Sequence, residues 1–146
     1  MLRTARIAAV AVAALWFTQD PVAAAPPGAV DEAAATREAK ESGTAWLSLV
    51  DGEKYGESWD QAASLFRKQI SRDQWVKTIG SARGGVGTLR NRTFDAAQSI
   101  VHEGVPTVIL TWKSSFGSAS GLMEQVTMMR EDGKWRCAGY FIRPGT

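Results

Sequence analysis

The chain has 146 residues, with 17 basic against 15 acidic side chains, one histidine and one cysteine. So even a charge balance offers no cationic surplus for a nucleic-acid backbone and no acidic block. A lone cysteine excludes an internal disulfide, and one histidine with one cysteine is too few for a His/Cys zinc site.

The N-terminus carries Arg3 and Arg6, then the uncharged run Ile7 to Phe17, then the small residues Val22-Ala23-Ala24-Ala25. Positive start, short apolar core and small-residue exit form the pattern of a cleaved export signal, residues 1–25. The run is well short of the ~20 residues that span a bilayer, so no membrane attachment is expected once it is removed. Cleavage near Ala24 or Ala25 places the protein in the periplasm or outside the cell. Loss of Arg3, Arg6 and Asp20 leaves the mature chain near neutrality.

Pro26-Pro27-Gly28-Ala29-Val30 reads as a short linker. Asp31 to Val50 is predicted as a helix rich in Ala, Glu, Lys and Arg. Its apolar face emerges only at Trp46, Leu49 and Val50, so residues 26–44 are expected to be a linker and a solvent-directed helical extension. Residues 45–146 are then one domain. Ser58-Trp59-Asp60-Gln61 and Ser71-Arg72-Asp73-Gln74 both fit the S-x-x-Q capping box. The first predicts a helix burying Ala62, Ala63, Phe66 and Ile70. The second predicts one burying Trp75, Ile79 and Ala82, stopped by Gly84, Gly85 and Gly87. These glycines lack the preceding strand and following Lys-Ser/Thr of a phosphate loop.

The second half is predicted as strands near residues 88–100, 106–116, 120–131 and 134–143. Asp132-Gly133 suits a two-residue type I′ hairpin loop. An unbroken register from that turn pairs Met128 with Cys137, Gln125 with Tyr140 and Glu124 with Phe141. It places Leu122, Val126, Met128, Cys137 and Phe141 on the core face, and sends Tyr140 to the other. Helices followed by consecutive antiparallel strands predict an α+β fold, with the N-terminal helices packed on one face of a curved four-stranded antiparallel sheet.

Ala45-Trp46-Leu47-Ser48-Leu49-Val50-Asp51, Tyr55-Gly56-Glu57-Ser58-Trp59, Ala62-Ala63-Ser64-Leu65-Phe66-Arg67 and Trp75 occur in order. Arg83, Gly87, Arg92, Ser115-Phe116 and Glu124-Gln125-Val126-Thr127 follow, then Asp132 to Arg143. This string resembles the bacterial family called domain of unknown function 4019, over about residues 45–143. The resemblance implies small exported proteins, with a cone-like fold similar to relatives of nuclear transport factor 2. It implies no activity, cofactor or substrate. Gly85 stands where the family tends to have proline. Ile100 to Thr107 lacks the family's Pro-Gly-rich hairpin.

His102 and Cys137 fall on different strands, so neither a metal site nor a thiol–imidazole pair is expected. Cys137 reads as a buried structural thiol. Glu124 is the most informative residue, because a carboxylate on an apolar strand face is costly unless paired. It has two readings. In one it forms an ion pair with Arg92 or Arg143; in the other it lines a cone pocket as an acid or base, with Tyr140 or Arg92 beside it. Trp46, Trp59 and Trp75 read as core, whereas Tyr55, Trp112 and Trp135 are the aromatic surface candidates. The expected function is a non-catalytic module binding an unknown protein or small molecule, through Tyr55, Arg92, Trp112, Glu124, Trp135 and Tyr140, without cofactor. The alternative is a small isomerase or hydratase working through Glu124.

Overall fold

The computed structural model describes residues 32–145. The expected export signal, its cleavage point and the linker at residues 26–30 lie outside the described residues. Helix α1 (Glu32–Asp51) crosses one face of the sheet and buries Ala35, Ala39, Gly43, Trp46, Leu47 and Val50. Its first half was expected to project into solvent, and it does not. The stripe begins with small residues, and these bring the helix backbone close to the strands. A Cβ added at Gly43 would stand 2.8 Å from Leu110 Cδ1. A small-residue seam buries area without looking apolar, which is why the hydrophobic period emerges only at Trp46.

Two short helices follow, α2 (Tyr55–Asp60) and α3 (Ser64–Gln69), then α4 (Arg72–Val86). The expected capping box at Ser58 is absent, because Ser58 lies inside α2 with its side chain buried, and the single helix expected after it is broken at residues 61–63, with Ala62 and Ala63 buried in the break. Ser58 Oγ donates to the Tyr55 carbonyl at 2.7 Å and accepts the Trp75 indole N–H at 2.9 Å. The box at Ser71 is present. Ser71 Oγ accepts the Gln74 N–H at 3.3 Å, and the Gln74 side chain accepts the Ser71 N–H at 3.2 Å. Ser71→Ala is expected to lower stability by about 1 kcal/mol, measurable as a shift in the urea midpoint at unchanged slope.

Helix α4 runs through Gly84 and Gly85 to Val86, and of the three glycines expected to stop it Gly87, at φ +81°, is the one that does. Its buried positions are Trp75, Ile79, Arg83 and Val86. Arg83 therefore takes the inward place expected of Ala82, which is only half-buried. The α3 N-terminus is closed from a distance. Glu131 accepts the Ser64 N–H at 2.8 Å and the Ser64 hydroxyl at 2.9 Å, a carboxylate where free helical N–H groups meet it.

The sheet is an antiparallel meander in the order β1 (Leu89–His102), β2 (Val105–Phe116), β3 (Leu122–Glu131), β4 (Lys134–Pro144). Both β1–β2 and β3–β4 turn through two residues of positive φ: Glu103 and Gly104, then Asp132 and Gly133. That is the twist-matched geometry of a type I′ hairpin. The first hairpin needs no Pro-Gly-rich sequence, since Gly104 supplies the second positive φ.

The β3–β4 register begins as expected, with Glu131 opposite Lys134 and Met128 opposite Cys137. A bulge then intervenes, and Thr127 pairs with Gly139, Val126 with Tyr140 and Glu124 with Ile142. One extra residue reverses the facing of everything beyond it. Tyr140, expected on the outer face, is therefore buried beside Val126. Phe141, expected in the core, is half-buried on the other face. The main core joins Trp46, Phe66, Trp75, Leu110, Trp112, Val126, Met128, Cys137 and Tyr140 between helices and sheet. Among the described residues no helix is long and apolar enough to cross a membrane.

Candidate functional site

Under the helices, four elements bring four charges together. Asp51 ends α1, Arg83 lies in the last turn of α4, Arg92 is near the start of β1 and Glu124 is on β3. Glu124 is fully buried, Tyr140 is 2% exposed and Ser114 4%. The side chains of Arg92 and Asp51 keep 13% and 23% exposure, so solvent meets the cluster from their side.

Arg92 joins the two carboxylates. Its Nε donates to Glu124 Oε2 at 2.6 Å and its Nη2 to Glu124 Oε1 at 3.0 Å. Toward α1, its Nη1 donates to Asp51 Oδ2 at 2.6 Å and its Nη2 to Asp51 Oδ1 at 3.0 Å. A planar guanidinium can pair bidentately with two carboxylates at once because its five N–H groups form a rigid fork; the three donors of an ammonium are too few for that. Arg83 donates to Asp51 Oδ1 at 2.7 Å and places Nη1 3.6 Å from Glu124 Oε1. Its guanidinium also lies 4.7 Å from the centre of the Phe116 ring, a cation–π contact.

The remaining capacity of Glu124 is taken by hydroxyls. Tyr140 donates to Oε1 at 2.5 Å and Ser114 to Oε2 at 2.5 Å. Two carboxylates facing two guanidinium groups are neutral as a set, so a charge can remain under the helices at tolerable cost. Burial would raise the Asp51 pKa, but hydrogen bonds from Arg92 and Arg83 outweigh it and hold the carboxyl below its ordinary value. A negative charge at a helix C-terminus opposes the helix dipole, so the position of Asp51 is sensible only with these cations against it.

Burial first, and the Glu124 carboxylate second, push the Tyr140 phenol well above its ordinary value of 10. The unfolded chain ionises this tyrosine near pH 10 while the folded chain keeps it protonated. The stability it contributes is therefore whole below about pH 10 and is lost as pH rises toward the folded value. Tyrosinate absorbance should show Tyr140 resisting ionisation until the protein unfolds in alkali. In the Tyr140→Phe variant that unfolding-linked step should shrink to what Tyr55, also raised by burial, contributes.

Of the residues singled out from sequence, Arg92, Glu124 and Tyr140 meet in this cluster. Trp112 and Trp135, expected at the surface, are 4% and 8% exposed. Trp112 packs edge-on against Phe94, and the Trp135 indole donates to Glu38 on α1 at 3.2 Å. Tyr55 is half-buried at the start of α2, packed against the core. Arg143 is exposed, and Glu124 pairs with Arg92 instead. Asp51, Arg83 and Ser114 were not recognised as members. Arg83 could have been found as a cation at helical spacing after Trp75 and Ile79, four residues beyond Ile79 on the buried stripe.

Cys137 is fully buried, and burial pushes its thiol far above the ordinary range, as a structural thiol requires. Among the described residues no group of three or more His, Cys, Asp or Glu could hold a metal ion. A shallow groove of about 680 Å³ opens elsewhere, between the start of α1 and β1. It is lined by Glu32, Ala33, Thr36, Arg37 and Lys40 of α1 and by Phe94 of β1. The Lys40 ammonium stands 4.0 Å over the Phe94 ring.

A family model described as "Protein of unknown function (DUF4019)" matches residues 42–140. A crystal structure of an NTF2-like protein from Cytophaga hutchinsonii is similar at 9% identity, with a TM-score of 0.48. That match covers 79% of this chain and 99% of the other. No curated protein matches the sequence.

Proposed function

We propose that this chain, which belongs to the DUF4019 family, is an exported, non-catalytic binding module that meets its ligand or partner on its outside. The observation that carries this reading is the saturation of Glu124. Both its oxygens accept hydrogen bonds from Arg92, one also from Tyr140 and the other from Ser114, with no exposure to solvent. A general acid or base must reach the proton it moves, in hydrogen-bond contact with substrate. Here that contact is occupied by the protein itself. The space a cone pocket would need is filled by Trp46, Trp75, Trp112 and Tyr140. Partner recognition then falls to the surface, where the groove beside Phe94 combines an apolar lining with the charges of Glu32, Arg37 and Lys40. Export is inferred from the N-terminal pattern of charge and apolar residues.

The test is a site-resolved titration. The isotopically labelled chain is exposed to metabolite mixtures and to a periplasmic extract. Resonance shifts confined to the groove and other exposed residues are expected, with loss of binding in Lys40→Glu. Shifts at Arg92, Ser114 and Tyr140 together with conversion of an added metabolite would overturn the reading.

A further inference from the structure

Among the described residues, strand β1 is terminal in the sheet and pairs with β2 alone, so no other strand covers its outer edge there. The opposite edge differs, because Ala63 N–H donates to the Cys137 carbonyl of β4 at 2.8 Å and ties the chain entering α3 to that strand. Open edges are usually protected by charge, by bulges or by a covering element. The first half of β1 has such protection. It carries Arg90 and Arg92, register shifts after Leu89 and Phe94, and Asp95 paired with Lys113 at 2.9 Å. The second half, Ala96 to Val101, has no charge, no proline and no bulge. It ends in Val101, 57% exposed and the one large hydrophobic residue so exposed among the described residues.

We infer that Ala96 to Val101 is a self-association edge, where a second copy of this chain pairs antiparallel across a twofold axis. The residues are suited to their own copy. Opposed residues of an antiparallel pair share a face, so the axis must pass through a residue and not between two. Centred on Gln98, the pairing sets Gln98 against Gln98, Ala97 against Ser99 and Ala96 against Ile100. The carboxamide of Gln98 has both donor and acceptor, so the two copies can exchange hydrogen bonds across the axis. Asp95 then falls opposite Val101, outside any like-charge contact. Centring on Ser99 would oppose Asp95 to Glu103, and like charges directly opposite are unfavourable. The charged flanks thus disfavour the Ser99-centred register, and the self-complementary carboxamide favours the one centred on Gln98, joining two four-stranded sheets into one. This inference does not depend on the interior being non-catalytic.

The test is sedimentation velocity on the intact chain as purified from cells, over a wide concentration range. The wild type should pass from monomer to dimer. Gln98→Lys and Gln98→Glu each set like charges across the axis and should weaken the dimer about fivefold or more. Because Gln98 is exposed, both variants should melt at the wild-type temperature when all three are dilute enough to be monomeric. Mixing the two variants sets Lys against Glu and should restore a heterodimer. A wild type monomeric throughout, charge variants as dimeric as the wild type, or a mixture without recovery would each overturn the inference.

Discussion

Replacing Glu124 by alanine should destabilise the protein by about 3–5 kcal/mol, the usual cost of removing one partner from a buried ion pair. The loss comes less from the missing attraction than from what remains. Arg92 keeps Asp51, but its Nε and half its fork lose their acceptor. Tyr140 and Ser114 also lose the oxygens they donate to. The double variant Glu124→Leu with Arg92→Met should recover much of the loss. It removes one charge of each sign and leaves Asp51 paired with Arg83 at 2.7 Å. Buried pairs exchanged for apolar residues of similar volume are often neutral in stability. Urea unfolding of wild type, single and double variants decides it, read at the midpoint with the slope unchanged. A single variant as stable as the wild type would contradict the structural role of the cluster.

Trp75→Ala should cost about as much, 3–5 kcal/mol, by a different mechanism. Trp75 is fully buried, meets Phe66 edge-on with ring centroids 4.9 Å apart, and lies 6.0 Å from Trp46. Truncation leaves a cavity that α2 and α4 close only in part. It also strips Ser58 Oγ of the indole donor that makes Ser58 the joint between those helices. Trp75→Phe keeps most of the volume and loses the hydrogen bond, so it should cost much less. Thermal unfolding of the two variants separates the cavity contribution from the hydrogen bond. Equal losses in both would place the weight on the indole N–H instead.

Local order was legible because its causes are local. Ser71 and Gln74 close a capping box with atoms three residues apart. Asp132 and Gly133 take the positive φ values their turn requires, as do Glu103 and Gly104 at the other hairpin. The α+β arrangement follows from period alone, since helical spacing gives way to alternation after Gly87. The misread helix at Ser58 has the same explanation from the other side. An S-x-x-Q string states what a helix end could use, while the Trp75 indole reaching Ser58 belongs to a distant segment.

The sequence by itself determined the order of helices before strands, the Asp132-Gly133 hairpin, the cap at Ser71 and the need of Glu124 for a partner, because propensity, capping and the cost of a lone buried charge are properties of short stretches. Only the tertiary structure decided which partners it has. Asp51, Arg83, Arg92 and Ser114 come from four separate elements, and no spacing along the chain encodes their meeting. One bulged residue in β4 turned Tyr140 toward Glu124 and Phe141 away from the core. A strand's alternation carries no mark of where it slips, because the slip is set by packing across the sheet.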